Sequence, residues 1–599
     1  MSVSDTARKL KYHTLYLLGI YRSRVEKLRE AYDLVKIAKN LDVCKAIDFA
    51  KRFFGEGEFR VIGIDGSMKT EERLEMLLFY ICTAGYSCIF DVSDSGIEFH
   101  VDNIERDASL SFSTAIPLWF EDISSIATVE ELTDAEIDVD RFIDRIPSAF
   151  MALAEIYTAY RSASPDRKDI RIILLDKSIY STYSYLSVRV RRLISIGRSA
   201  LEGLETRYGP FTVADLLLSF MFGSGDAYIP YRPSYLQFHS LKLIIDEGPI
   251  SWHSIKERLN IPSPLEDHVL RKLRNINKKC GYALFVEDRG LFYPSENSRS
   301  YWYRSVEAAL SVANRLLGGG DYPLTIGDRW IKLLDWEAVT FIILQALIDL
   351  CVKNRKLLVG IAKDTTATDL TRSTIPYMKL NEELDPSTPI PNLKSDRALL
   401  SILSAERYED IKTPWRTVAY DACFSTLFHP SGFNVMRAAR KRVGREKLFA
   451  KSYFQLREFL SDPRVRTLVF LYDRPIYGED LNLVRRIEVE EASGRTIIEP
   501  FYEGVGGLSL IDNLILYVLS MMDEPQVLEA AGHNKLLYIA DKAVKAEASM
   551  AIGLLKGVAN LHLESFSRKM KTFYLSRSFR EYRRESEYAR RLISSGRAD

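Results

Sequence analysis

The sequence is short of cysteine, and its six cysteines (Cys44, Cys82, Cys88, Cys280, Cys351 and Cys423) form no CxxC pair. Neither a zinc site nor a disulfide framework is indicated, and free thiols in a reducing cytoplasm are expected. No GxxxxGK(S/T) occurs anywhere, and "GGGDYP" (Gly318 to Pro323) is not followed by a Lys-Ser/Thr pair, which argues against an intrinsic P-loop ATPase. Long apolar runs are missing too. The longest, Trp336 to Val352, is broken by Glu337, Gln345 and Asp349, so it reads as a buried helix rather than a membrane span. The first residues lack the apolar core of a signal peptide. Net charge is nearly absent at +1. That total hides an asymmetry. Phe566 to Asp599 holds ten Lys or Arg against four acids, a net of +6, which leaves about −5 on the rest.

What is present is an ordinary globular composition, 47% hydrophobic and 27% charged, in a chain too long for one core. Residues 1–54 form an N-terminal helical region, with apolar residues at three- and four-residue spacing. "RVIGIDGS" reads as a strand ending at Asp65, followed by a helix from about Thr70 to Ala84. "YSCIFDVS" and "IEFHVDNI" form a hairpin, a helix spans about Pro147 to Arg161, and "IRIILLDKS" is a second strand, ending on Asp176. Between 204 and 335 the character changes. Within it, about 234–297 has the pattern of three short helices and a two-stranded wing, resembling a winged helix-turn-helix. From 336 to 565 the α/β alternation returns, with "KLLVGIAKD", "TLVFLYDR" and "RRIEVEEA" as strands and "NKLLYIADKAVKAEASMAIGLLKG" as a long helix. The expected architecture is one α/β domain, residues 55–203 and 336–565, interrupted by the winged-helix-like insertion and ending in a basic, aromatic tail, 566–599.

Asp65 and Asp176 end two strands in the same way, "IDGS" and "LDKS", and both strands are apolar on both faces, as central strands are. Glu155 lies in an apolar helical stretch, where a lone acid is costly unless paired or bound to metal. The three acids can converge at one sheet end, and hard oxygen ligands suit Mg²⁺ or Mn²⁺. Taken singly, each has a plainer reading: Asp65 as a turn former, Asp176 as a helix N-cap, Glu155 on the exposed edge of an amphipathic helix.

The order of strand-"IDGS", helix with Glu155, strand-"LDKS" and "LLVGIAKD" resembles the NurA family of archaeal and bacterial DNA-end-processing nucleases. "GHNKLLYIADKA" adds to the resemblance, with Gly532, Leu537 and Ala540 in register with a family pattern. His533 stands where that family usually has Tyr, and Asp541 where it usually has His. The resemblance covers short blocks near 60–67, 150–178, 357–364 and 532–545. It implies an RNase H-like mixed sheet flanked by helices, with Asp65, Glu155 and Asp176 as catalytic metal ligands. Asp541 would take the fourth ligand position, holding Mn²⁺ or Mg²⁺ as two ions. It also implies a cytoplasmic, homodimeric nuclease acting on single- or double-stranded DNA ends in double-strand-break repair, as an exonuclease and also an endonuclease, beside a hexameric HerA-type translocase. No membrane is involved.

Asp541 shares its helix side with Leu537, Ala540 and Val544, and an acid there needs a counter-charge. A pairing with Lys545, four residues on, is the plainer alternative. Lys363 and His533 are candidates for phosphate contact. Arg271, Arg274 and Lys278 recur at helical spacing opposite Leu265, Val269, Leu273 and Ile276, as on a helix able to enter a major groove. The tail interleaves Arg with Phe and Tyr, the residue types that bind phosphate and stack on bases. The competing expectation is a catalytically inactive adaptor subunit that binds DNA through the winged helix and tail.

Overall fold

The computed structural model describes residues 3–73, 76–127, 139–225, 229, 233–279, 283–319, 322–390, 393–428, 435–440, 448–459, 462–491, 494–523 and 532–567. The basic tail beyond 567 lies outside the described residues.

Eleven strands form one mixed sheet. They are β1 (Ala38–Asn40), β2 (Gly57–Arg73), β3 (Met76–Ser93), β4 (Gly96–Phe99), β5 (Glu105–Trp119) and β6 (Ile170–Leu175). The later ones are β7 (Leu357–Ala362), β8 (Trp415–Thr417), β9 (Tyr420–Asp421), β10 (Phe449–Gln455) and β11 (Phe470–Pro475). Their order is β1-β8-β10-β11-β7-β6-β2-β3-β4, with β9 beside β10 and β5 beside β3. The centre is parallel, β6 pairing with both β2 and β7, and antiparallel strands extend it on either side.

The N-terminal helix α1 (Val3–Glu30) is exposed along most of its length, and helices α2 (Val43–Phe54), α3 (Val139–Ala163), α4 (Ile179–Ile196), α5 (Tyr301–Leu317), α6 (Leu333–Lys353), α7 (Leu510–Met521) and α8 (Lys535–Ser567) lie on the two sides of the sheet. Alternation along the strands divides the core. Ile62, Ile64, Ile173 and Leu175 pack in one layer with Phe150, Leu153, Tyr183 and Leu344 of α3, α4 and α6. Val61, Ile172, Leu174 and Val359 pack in the other with Phe53 of α2, Leu514 of α7 and Leu536 of α8. Central strands buried on both faces explain the unbroken apolar runs that precede Asp65 and Asp176.

Two expectations fail at β2 and β3. Among the described residues of 70–84 there is no helix, and the strand carrying Asp65 does not end there. It continues to Arg73 and pairs with β3 from Gly57↔Val92 to Arg73↔Met76. The stretch "LLFYICTAGYSCIF" is rich in aromatic and β-branched residues and lies between β2 and β5, so cross-strand packing overrides its helical spacing.

Between the two α/β halves, helices Leu236–Glu247, Trp252–Arg258 and Ser263–Lys279 accompany a small antiparallel sheet of Ile250–Ser251, Leu291–Pro294 and Phe285–Asp288. Its apolar residues, such as Ile244, Val269 and Leu273, run continuously into the first core layer. Cys82, Cys88, Cys351 and Cys423 are buried free thiols and Cys44 is an exposed one. Among the described residues no helix is long and apolar enough to cross a membrane.

Candidate metal centre

β2 and β6 run side by side, with Ile64 opposite Leu175, so the next residue on each strand is an aspartate. The Asp176 amide donates to the Ile64 carbonyl at 3.4 Å, which continues the ladder one step. By alternation both carboxylates fall on the face covered by α8. The approach of α8 is fixed by a glycine. A Cβ at Gly63 would lie 2.8 Å from Leu536 Cβ, so only glycine admits the start of α8 here. Asn534 caps that start, its Oδ1 accepting from the amides of Leu536 (3.0 Å) and Leu537 (3.3 Å). From Leu536 to Asp541 the helix rises about 7 Å, the distance β2 covers from Gly63 to Asp65. Asp541 thus arrives beside Asp65.

The carboxylates of Asp65, Asp176 and Asp541 each offer an oxygen within 4.8 Å of the others. They line an open cleft of about 500 Å³ with Lys177, Lys363 and Lys545. Three acids so close cannot all stay charged without compensation. Burial and the Asp176 charge push Asp65 up to about 7, although the Gly66 amide donates to its Oδ1 at 2.8 Å. Asp176 is raised by burial, against the pull of Lys363, whose Nζ lies 2.5 Å from Oδ2. Burial also raises Asp541, but its hydrogen bond with Lys545 at 2.6 Å and the nearby lysine charges outweigh this and hold it low. The expected Asp541–Lys545 pairing is therefore present, and so is the convergence with Asp65 and Asp176.

Glu155 does not join this group. It reaches the sheet from the opposite face, beneath Gly66, where a Cβ would lie 2.7 Å from its Oε1. There it forms an ion pair with Lys177. The expected convergence of Asp65, Glu155 and Asp176 at one sheet end meets alternation here: Asp176 and Lys177 are neighbours in sequence and point to opposite sides, and Glu155 lies with Lys177. Burial pulls the Lys177 ammonium down to about 8, opposed by the charge of Asp65.

The turn after Asp176 is held from β11. Asp473 accepts from the amides of Ile179 (2.8 Å) and Tyr180 (3.3 Å) and from the Ser178 hydroxyl. Gly360 lets this happen, since a Cβ there would meet the Lys177 carbonyl at 2.4 Å. Sequence reasoning missed Lys177, Asp473 and the glycines. The one local signal was glycine at two positions of "VIGIDGS", 63 and 66.

The basic candidates are placed less simply. Lys363 pairs with Asp176 instead of standing free at the strand end. His533 is buried at 3% exposure and stacks on Phe470 at 5.6 Å, with burial lowering it to about 3, so it stands as a neutral packed ring and not a phosphate contact. Arg274 forms a two-pronged pair with Glu287, at 2.7 and 3.0 Å, and Arg271 donates to His268 at 3.3 Å. The Lys278 side chain lies outside the described residues.

A mixed sheet with a three-carboxylate centre at the end of its parallel strands defines an α/β protein equipped to bind a hard divalent cation. No protein-family model matches the chain, and no curated protein matches it. Among solved structures it is similar to the NurA nuclease from Sulfolobus solfataricus at 11% identity and a TM-score of 0.35, over 94% of this chain and 98% of that one. It is also similar to NurA with manganese (13%, TM-score 0.34, 91% and 97%) and to NurA bound to dAMP and manganese (14%, TM-score 0.32, 89% and 93%). Likeness at these TM-scores carries no argument about chemistry, which rests on the carboxylates themselves.

Proposed function

We propose that this chain is a divalent-metal-dependent deoxyribonuclease. The observation that carries the reading is the group of Asp65, Asp176 and Asp541, whose oxygens lie within 4.8 Å of one another in an open cleft. All-oxygen donors at that spacing suit Mn²⁺ or Mg²⁺, and burial together with the Asp176 charge raises Asp65, which a bound cation would return to its charged form. Bound there, one or two such ions would activate a water and stabilise the leaving oxygen of a phosphodiester. The chain's own cations complete the centre. Lys363 and Lys545 neutralise Asp176 and Asp541 in the metal-free state, and once a metal takes those oxygens they are free to meet substrate phosphate. Lys177, paired with Glu155 on the opposite face of the sheet, also borders the cleft.

In this reading the enzyme trims DNA ends, single- or double-stranded, during break repair in the cytoplasm, as an exonuclease with an added endonuclease capacity. It works as a homodimer with a HerA-type hexameric translocase. The support for these finer points is the sequence resemblance and the lack of a P-loop of the chain's own. The lysine pairs on Asp176 and Asp541 favour a second reading, in which ammonium groups replace the metal permanently and the chain is an inactive DNA-binding adaptor.

One experiment separates the two. Mn²⁺ binding is followed by calorimetry and linear-DNA degradation by gel, for wild type, Asp65→Asn and Asp176→Asn. The nuclease reading expects metal-dependent cleavage, reduced about 100-fold or more in both variants together with weakened Mn²⁺ binding. No Mn²⁺ binding by the wild type leaves the adaptor.

A further inference from the structure

A second concave surface lies away from the carboxylates. It is an open groove of about 1590 Å³ between α5, the last turns of α3 and α6, and the segment around Arg207. Lys353 ends α6 just before β7 begins, and Tyr160 sits in the last turn of α3, before β6. The groove is therefore at the amino ends of the parallel strands, while Asp176 and Lys363 follow their carboxyl ends. Six-residue strands put about 20 Å between the two.

The lining has an unusual composition for a soluble surface. Tyr208 and Tyr303 stack on each other with ring centroids 5.2 Å apart and an interplanar angle of 29°, yet they are 46% and 58% exposed. Trp302, half-buried, is adjacent on α5. Arg299 and Lys353 are exposed on the rim, and Arg207 reaches across to Glu307 at 3.2 Å. Cations in the lining (Arg207, Arg299, Arg315, Lys353) outnumber the acids (Glu307, Asp349). Flat aromatic faces left open between positive charges are what a flexible polyanion with planar bases requires. A duplex buries its base faces in its own stack and has none to offer the tyrosines.

We infer that this groove is a binding site for single-stranded nucleic acid, with bases on the Tyr208–Tyr303 pair and phosphates on Arg299 and Lys353. It holds a strand away from the carboxylate centre, and it stands whether or not that centre hydrolyses DNA.

The test is fluorescence anisotropy with a labelled oligothymidine of about 16 nucleotides, in EDTA so that no metal-dependent contact or cleavage takes part. Tyr208→Ala with Tyr303→Ala is expected to weaken binding about tenfold, while Tyr303→Phe, which keeps the ring, leaves it unchanged. Arg299→Glu with Lys353→Glu is expected to weaken binding and to reduce the slope of log affinity against log salt by about 1.4. Full affinity in both folded double variants overturns the inference. So does a blunt duplex that binds as tightly as the single strand and loses as much in the alanine pair.

Discussion

Two groups of acids and cations sit on this sheet, and one acid from each, Asp512 and Asp65, is shifted in opposite directions. Behind β11, Arg474 is wholly buried between Asp480 (2.6 and 2.9 Å) and Asp512 (2.6 and 3.0 Å), with Tyr472 and Ser509 also donating to Asp512. Beside it Arg416 and Glu503 form a buried two-pronged pair, both contacts at 2.7 Å. Burial alone would raise Asp512, yet Arg474 and its other donors hold it at about 2; Asp480, with fewer donors, is raised. At the cleft, Asp65 is less buried than Asp512 but is pushed up to about 7. The difference lies in what the oxygens face. Asp512 faces a guanidinium whose fork matches a carboxylate, whereas Asp65 faces two other carboxylates, with lysines only at the rim. A buried acid filled by directed donors is architecture; buried acids aimed at each other leave a place for a cation.

The comparison breaks hardest at Arg474. Arg474→Ala leaves Asp480 and Asp512 buried without their partner and is expected to cost about 3–5 kcal/mol in urea unfolding. A change below 1 kcal/mol would mean the network is not structural. The cleft variants Asp65→Asn and Asp176→Asn carry no comparable stability loss, because they relieve repulsion.

The pH dependence sharpens the contrast. In EDTA, folded Asp65 keeps its proton up to about pH 7, while an unfolded aspartate releases it near 3.9. Its stabilising contribution is thus present below about pH 4 and is lost as pH rises through 7. Asp512 has the reverse sign: its contribution is present above about pH 4 and is lost as pH falls through 2. Thermal midpoints across pH, each compared with the matching Asp→Asn variant, are expected to diverge in those two windows. Saturating Mn²⁺ is expected to abolish the Asp65 window and leave that of Asp512 untouched.

The smallest effect belongs to Asp541. Its pairing with Lys545 contributes only about 0.3–0.5 kcal/mol, so Asp541→Asn hardly changes stability. It is nonetheless expected to weaken Mn²⁺ binding more than Glu155→Gln, which acts from the other face through Lys177. Asp541→His is expected to retain more activity than Asp541→Asn. Equal Mn²⁺ affinities for wild type and Asp541→Asn would remove Asp541 from the centre.

The sequence made Asp65 and Asp176 legible because central strands carry long apolar runs, and an acid at the end of such a run stands out. Asp541 was legible through the family-like block around it. Glu155 was placed on the correct helix, but the sheet face it meets was not legible, since periodicity along α3 does not say which side of a neighbouring strand an acid will meet. The continuation of β2 past Asp65 was hidden for a related reason. "TEERLEMLLFYICTA" has apolar residues at spacings that suit a helix, and only the pairing of β2 with β3, and of β3 with the unrecognised β5, makes it strand. Lys177 and Asp473 carried no local signal at all. Their roles arise from the β6–β7–β11 neighbourhood, which brings together residues hundreds of positions apart.

The dependence of the cleft on α8 has a consequence for the newly made chain. Asp65 and Asp176 are synthesised early, and their strands can pair, but the third carboxylate leaves the ribosome several hundred residues later. At about 5–20 residues per second the wait lasts tens of seconds. During that interval the floor of the cleft exists without its lid-side ligand, and Gly63 exposes the bare backbone on which Leu536 will settle. A nascent chain therefore carries two of the acids but not the complete set. The three-carboxylate group is complete only once α8 has settled on Gly63.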